Sequence, residues 1–157
     1  IVYVIDDKSG HYSVGQFADK VYRMWGHYEA DAIVIETNQG GDFVEAQFLQ
    51  MDPNLPITRV VAHEGKKIRA QPVAALYEED RVRHVLWPTP EELEAGVSPN
   101  QATDDTLKRL EVQMTTWDPE MRGKSPDRID ALVMAVMHVS TGIMHGSGRV
   151  HNRYKAR

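Results

Sequence analysis

A carboxylate follows an apolar run in the first quarter of the chain. Residues 32–35 read AIVI, and Glu36 comes directly after them. A continuous apolar run of this length predicts a strand that is covered on both faces. A charged side chain at the end of such a strand needs a metal cation, several backbone donors or a basic side chain beside it, because burying an unpaired charge is unfavourable.

The residues after Glu36 leave two interpretations open. Residues 37–42 read TNQGGD, with two side-chain amides followed by two glycines. Glycine adopts positive φ without steric penalty, so the backbone can turn sharply here and approach a ligand closely. The segment therefore suits a binding site. It is equally compatible with an ordinary turn between a strand and a helix that Glu36 caps.

A second pair of acids lies near the end of the chain. In the segment SPDRIDALVMAV, residues 125–136, Asp127 and Asp130 are three positions apart. On a helix this spacing places both side chains on one face, and two neighbouring carboxylates repel each other unless a cation or a proton intervenes. The alternative is that both acids simply interact favourably with the dipole of the first helical turn.

Taken together, the three acids indicate metal chemistry. Glu36, Asp127 and Asp130 would offer the hard oxygen ligands that Mg²⁺ and Mn²⁺ prefer. Two such ions, about 3.5–4 Å apart, can activate a water molecule and stabilise the leaving oxygen of a phosphodiester. The chain has no cysteine, so any metal would bind to oxygen or imidazole.

The elements that must position these acids alternate along the chain. Hydrophobic patterns predict strands at 1–6, 32–35, 57–62 and 81–87. They predict helices at 13–29, 42–51, 66–80, 106–117 and 125–141, with Ser125 as the N-cap of the last one. Residues 88–105, rich in proline and acidic residues, predict a long loop. This order is typical of an α/β fold with a mostly parallel central sheet flanked by helices, in which functional residues lie at the carboxyl ends of strands.

Composition restricts the class of protein. With 157 residues, 41% hydrophobic and 26% charged, the chain fits one globular domain. No apolar run reaches the roughly 20 residues that cross a bilayer, so we expect no membrane association. The net charge of −5 argues against coating nucleic acid through bulk charge. Residues 149–157, RVHNRYKAR, form a basic tail that could contact phosphate, although short charged termini are more often solvated.

Five motifs in order resemble the nuclease domain of bacteriophage large terminase subunits. They are ETNQGGD at 36–42, GKKIRAQPVAALYE at 65–78, RVRH at 81–84, LEVQM at 110–114 and SPDRIDALVMA at 125–135, and the resemblance spans residues 1–139. It implies a ribonuclease-H-like fold and an endodeoxyribonuclease that cuts concatemeric viral DNA during genome packaging with two Mg²⁺ or Mn²⁺ ions.

The resemblance also implies roles for individual residues. Glu36 and the pair Asp127 and Asp130 correspond to the family's catalytic, metal-binding acids. The basic residues after Gly65 correspond to a loop that would hold the phosphates of double-stranded DNA; they are Lys66, Lys67 and Arg69. They follow the predicted strand 57–62, so we expect them at the same edge of the sheet as Glu36. A solvated basic start of a helix is the alternative.

One part of the family's pattern differs in this chain. Terminase nucleases carry a first catalytic aspartate at the end of an opening strand, whereas residues 1–10, IVYVIDDKSG, resemble the strand after it. We therefore expect a nuclease domain at 1–148 whose opening strand lies upstream of residue 1, followed by the basic tail at 149–157. Asp6 and Asp7 also end an apolar strand and are alternative candidates for the missing ligand.

The resemblance implies a cellular context as well. The expected partners are an ATPase motor domain, the portal and the small terminase subunit, in the cytoplasm of a bacterial host. The chain contains no G-x-x-x-x-G-K-[ST] phosphate-binding loop, so we expect the motor in another part of the subunit. Two other interpretations remain: a non-catalytic DNA-binding or assembly module of the packaging machine, and another ribonuclease-H-like nuclease such as a junction resolvase.

Overall fold

The computed structural model describes residues 1–37, 41–86, 88–98, 106–120 and 126–144. It has an α/β architecture in which strands and helices alternate along most of the chain. The strands are β1 (Val2–Val4), β2 (Ile33–Glu36), β3 (Ile57–Val60) and β4 (Val82–His84). The helices are α1 (Val14–His27), α2 (Gly41–Met51), α3 (Lys66–Glu78), α4 (Pro90–Glu94), α5 (Lys108–Thr116) and α6 (Asp127–Met144). None of the helices in these ranges is long and apolar enough to span a bilayer.

The strands pair in parallel, as the β-α-β order predicts. Strand β1 pairs with β4, with Val2 opposite Val82. Strand β2 pairs with β3, with Ile33 opposite Ile57. Within the described residues the strands form these two pairs rather than one continuous sheet. Helix α6 packs against both β1 and β2 and so joins the two pairs.

Each pair of strands has its own hydrophobic core. The α6 core is formed mainly by helices α3, α5 and α6 around β4, and its buried residues are Val73, Val82, Leu107, Leu110, Ile129, Leu132, Val133 and Val136. The β2 core is smaller and consists of Ala18, Ile33, Phe48 and Leu55. Glu36 ends a strand of the β2 core, whereas Asp130 lies on the helix that dominates the α6 core. A site that uses both acids must therefore form between the two cores.

The start of α1 follows the sequence pattern closely. Ser13 is the N-cap, its Oγ accepts a hydrogen bond from the Gln16 amide at 3.3 Å, and Gln16 Oε1 accepts one from the Ser13 amide at 3.0 Å. This reciprocal pair is a capping box, which satisfies two backbone donors that have no partner inside the helix. The predicted start of this helix is confirmed.

The expectation of a long loop at 88–105 is wrong in its first part. Residues Pro90–Glu94 form the short helix α4. The Thr89 amide donates to Glu92 Oε2 at 3.0 Å, and the Glu92 amide donates to Thr89 Oγ1 at 3.2 Å. The sequence TPEE at 89–92 contains both this capping box and a proline at the first helical position, so the signal was present but short. Residues 99–105 lie outside the described residues.

A chain of hydrogen bonds connects α3, β4 and α5. The hydroxyl of Tyr77 lies 2.7 Å from His84 Nε2, and His84 Nδ1 lies 2.8 Å from Glu111 Oε1. Burial, with a smaller effect from the Glu111 carboxylate, raises the pKa of Tyr77 from 10.0 to about 12. These hydrogen bonds hold the end of β4 between the two helices.

Candidate functional site

Glu36 lies at the carboxyl end of a parallel strand, as predicted. It is the last residue of β2, and its side chain is 28% exposed. Of the three kinds of partner expected for it, the structure provides a basic side chain, since Arg69 Nη1 lies 3.3 Å from Glu36 Oε1. Arg69 is in the first turn of α3, the helix that follows β3. The alternation of strands and helices thus places the two residues at one edge of the fold.

Asp130 meets the same arginine from the opposite side. Its Oδ1 lies 3.4 Å from Arg69 Nη2, and its Oδ2 forms an ion pair with Lys66 Nζ. The side chains of Arg69 and Asp130 are 14% and 15% exposed, so this contact is largely shielded from solvent. Glu36 and Asp130, which are far apart in the sequence, therefore converge on one guanidinium group.

The other member of the aspartate pair has a different environment. Asp127 is the first residue of α6 and is exposed. Within the ranges that the structure covers, it has no ion pair or side-chain hydrogen bond. The structure therefore brings Asp130 to Glu36 and places Asp127 at the surface, one helical turn nearer the start of α6.

Two of the three predicted DNA-binding residues face the acids. Lys66 and Arg69 pair with Asp130 as described, and Arg69 also contacts Glu36. Lys67 instead pairs with Glu120, and both of these side chains are mostly exposed. All three basic residues begin α3, as the sequence predicts. Only Lys66 and Arg69 contact the predicted metal-binding acids.

The start of α6 is fixed by a side chain from α5. Gln113 Oε1 accepts hydrogen bonds from the amides of Arg128 at 3.0 Å and Ile129 at 3.1 Å. These amides belong to the first turn and have no acceptor within the helix. The predicted N-cap, Ser125, lies outside the described residues. No local sequence pattern predicts this role of Gln113, because the capping group comes from another helix.

Asp7 also helps to position this helix. Arg128 forms an ion pair with the Asp7 carboxylate and donates a hydrogen bond from Nη2 to the Ser9 carbonyl at 3.0 Å. The other carboxylate oxygen of Asp7 accepts a hydrogen bond from the Ser9 amide at 2.9 Å. The segment after β1 is thereby tied to the first turn of α6.

Asp6, the neighbouring acid, is held by other partners. It accepts a hydrogen bond from the Tyr28 hydroxyl at 2.7 Å and lies 3.4 Å from Lys8 Nζ. Both Asp6 and Asp7 are therefore paired with groups of the chain itself. In this structure neither acid contacts the basic residues that bind Glu36 and Asp130.

The carboxylate oxygens of Glu36 and Asp130 are chemically suitable ligands for a magnesium or manganese ion. Glu36 and Asp130 provide carboxylate oxygens at a shared, partly buried position, which suits a hard divalent cation. In the described part of the chain, however, no group of three or more His, Cys, Asp or Glu side chains is arranged to hold a metal ion. The cations that bring these two acids together are the basic side chains of α3.

This combination of fold and acids is matched by a known family. A family model described as the terminase RNaseH-like domain matches residues 3–139. The chain belongs to the terminase RNaseH-like domain family. It is therefore a ribonuclease-H-like domain of nuclease type from a DNA-packaging terminase. No curated protein and no solved structure matches the chain significantly.

The family assignment agrees with the order of elements in the structure. The matched residues begin in β1 and extend into α6, so they include Glu36, Asp130 and the start of α3. The terminase domain thus contains all the residues that converge between its two cores. The assignment supports the interpretation of the fold, while the roles of individual side chains remain predictions.

Proposed function

We propose that this terminase domain is a metal-dependent endodeoxyribonuclease that cuts concatemeric viral DNA during genome packaging. The observation that carries the proposal is the convergence of Glu36 from β2 and Asp130 from α6 at one partly buried position. The mutual repulsion and desolvation of two such carboxylates must be compensated by cations; Lys66 and Arg69 do so in this structure, and divalent ions would do so in the active domain. In a terminase of ribonuclease-H-like fold, the function that best uses such a pair is phosphodiester hydrolysis.

The proposed cofactor is a pair of Mg²⁺ or Mn²⁺ ions. When bound, such ions supply an activated water molecule and stabilise the leaving oxygen of the phosphodiester. Glu36 and Asp130 would be the inner ligands, because both are partly buried and adjoin one guanidinium. Asp127, exposed one turn earlier on α6, would complete the set when substrate is present.

Substrate contacts would come from the start of α3. Lys66, Lys67 and Arg69 provide three positive charges near the carboxyl edge of the strands, where the phosphates of double-stranded DNA would bind. Contacts of this kind position the DNA and do not read its sequence, so the proposed cleavage has low sequence specificity. The ATPase motor, the portal and the small terminase subunit would deliver the DNA in the bacterial host.

Plasmid cleavage tests the proposal directly. Supercoiled plasmid would be incubated with the chain in Mn²⁺ or in EDTA, and nicked and linear products would be quantified. We expect cleavage in Mn²⁺ only. Removing a residue that only orients a metal ligand typically lowers activity by roughly 10–100-fold. Glu36→Gln and Asp130→Asn remove proposed metal ligands, so each should lower the cleavage rate by more than this.

Two further variants complete the plasmid experiment. Asp127→Asn should have a smaller effect than Asp130→Asn, because its side chain is exposed and lies apart from the shared guanidinium. Asp19→Asn is the matched control, since Asp19 is an exposed acid on α1 whose one ion pair among the described residues is with Arg23. Cleavage that persists in EDTA, or that survives both Glu36→Gln and Asp130→Asn, would contradict the proposed mechanism.

A non-catalytic role is the second candidate function. It is favoured by the ion pairs of Lys66 and Arg69, which already neutralise Glu36 and Asp130 without metal. A DNA-binding or assembly module would retain plasmid in a gel-shift experiment yet leave it uncut in Mn²⁺. Its binding of DNA would also not be weakened by Glu36→Gln.

A further inference from the structure

Arg69 occupies the space that joins the two proposed metal ligands. One arm of its guanidinium lies 3.3 Å from Glu36 Oε1 and the other lies 3.4 Å from Asp130 Oδ1. Lys66 pairs with the second oxygen of Asp130, so both oxygens of that carboxylate face cationic groups. A divalent ion that used Glu36 and Asp130 as ligands would bind the same two carboxylates that Arg69 contacts.

The contacts of Arg69 are suited to exchange. Charge-assisted hydrogen bonds between nitrogen and carboxylate oxygen are usually about 2.7–2.9 Å long, and both contacts of Arg69 are longer. The guanidinium divides its two arms between two carboxylates instead of forming a bidentate pair with one. Its Nε is buried and has no hydrogen-bond partner among the described residues. Arg69 is therefore held by charge more than by good hydrogen-bond geometry.

We propose that Arg69 is an internal counter-cation that competes with divalent metal for Glu36 and Asp130. This inference rests on the proposed function, because it assumes that these two acids bind metal. In the absence of metal, Arg69 holds the acids of the β2 core and the α6 core together and compensates their repulsion. Metal binding displaces the guanidinium, which is then available to a DNA phosphate, a group that arginine binds well.

The proposal gives Arg69 a role that differs from that of a simple DNA contact. A residue that only contacts phosphate would leave metal affinity unchanged in the absence of DNA. A residue that only preorganises the acids would weaken metal binding when it is removed. A competing cation has the opposite effect, because its removal takes away a positive charge that the metal would otherwise have to displace from the carboxylates.

Calorimetric titration with Mn²⁺ in the absence of DNA tests the proposal. We expect Arg69→Gln to bind Mn²⁺ at least about tenfold more tightly than the wild type, which corresponds to about 1.4 kcal/mol. The matched control is Arg23→Gln, which removes the same charge from an exposed pair with Asp19 and should leave the affinity unchanged. Unchanged or weaker binding by Arg69→Gln, or no binding by either protein, would overturn the proposal.

Thermal melting and a conservative variant show whether Arg69→Gln remains folded. In EDTA we expect Arg69→Gln to melt below the wild type, and Mn²⁺ should raise its melting temperature more, because tighter binding gives more stabilisation. Arg69→Lys keeps the charge but not the planar fork, so its Mn²⁺ affinity should lie between those of the wild type and Arg69→Gln. An Arg69→Lys affinity at or below the wild-type value would also count against competition.

The same titrations separate this proposal from the proposed function. If Glu36→Gln abolishes Mn²⁺ binding while Arg69→Gln leaves it unchanged, the metal site stands and the competition fails. If Glu36→Gln and Asp130→Asn bind Mn²⁺ as the wild type does, these acids are not the ligands and both proposals fail.

Discussion

At the scale of single residues, the ion pair between Arg128 and Asp7 connects the last described helix to the segment that follows β1. The side chains of Arg128 and Asp7 are 17% and 8% exposed, so this ion pair is largely buried. Burying two charges gives little net stability, but removing one partner leaves the other charge buried and uncompensated. Arg128 is adjacent to Asp127 and close to Asp130, so its pairing with Asp7 also restrains the helix turn that carries the candidate metal ligands.

We predict that Arg128→Gln lowers the free energy of unfolding by about 3–5 kcal/mol, because Asp7 would remain buried without its cation. Urea denaturation followed by circular dichroism measures this loss. Asp7→Asn in the same background should restore part of the stability by removing the unpaired charge. A loss below about 1 kcal/mol would show that Asp7 finds another partner or becomes solvated.

At the scale of elements, α5 determines where α6 begins. The side chain of Gln113 takes the place of an N-cap by accepting hydrogen bonds from the amides of Arg128 and Ile129. Leu110, also on α5, is buried in the α6 core, so packing and capping act on the same pair of helices. The position of Asp130 therefore depends on a residue that does not belong to the site.

Truncation of this cap should weaken α6. We predict that Gln113→Ala lowers stability by about 1 kcal/mol, the typical effect of losing an N-cap. This loss corresponds to about 2–4 °C in melting temperature for a chain of this size. Gln71→Ala is the control, because Gln71 is an exposed residue on α3. Equal melting temperatures for the two variants would exclude a capping role for Gln113.

At the scale of the whole molecule, the site lies between two cores whose buried residues come from different helices and strands. The β2 core positions Glu36, and the α6 core positions Arg69 and Asp130. Helix α6 packs against strands of both pairs, and the ion pairs of Arg69 cross between the cores. Because of these links, we expect the two cores to unfold as one cooperative unit.

The effect of Phe48→Ala tests this coupling. Phe48 is fully buried in the β2 core, so its truncation should lower stability by about 3–5 kcal/mol. Trp25 packs against the β2 core and Trp117 against the α6 core. The chain has three tryptophans, so variants in which Trp25 or Trp117 is the single tryptophan left, with Trp87 replaced in both, report each core separately. We expect Phe48→Ala to shift both fluorescence transitions equally in urea. A shift of the Trp25 transition alone would show that the cores unfold independently.

Neighbouring residues in the sequence are enough to predict the local elements and the chemical groups of the candidate site. The continuous apolar run before Glu36 is typical of a strand, and the spacing of apolar residues in α1 and α6 is typical of helices. The structure confirms these elements. The resemblance to terminase nucleases, which rests on five short motifs in order, is confirmed over residues 3–139. Such features can be read from the sequence because they depend on neighbouring residues.

Which charged groups meet, in contrast, depends on how the elements pack. The sequence could not distinguish Asp127 from Asp130, because both lie on one helical face, and in the structure it is Asp130 that contacts Arg69. The pairing of Asp7 with Arg128 and the cap from Gln113 join residues that are distant in the sequence. A charged side chain has no periodic pattern that names its partner, so its contacts follow from how strands and helices pack around the cores.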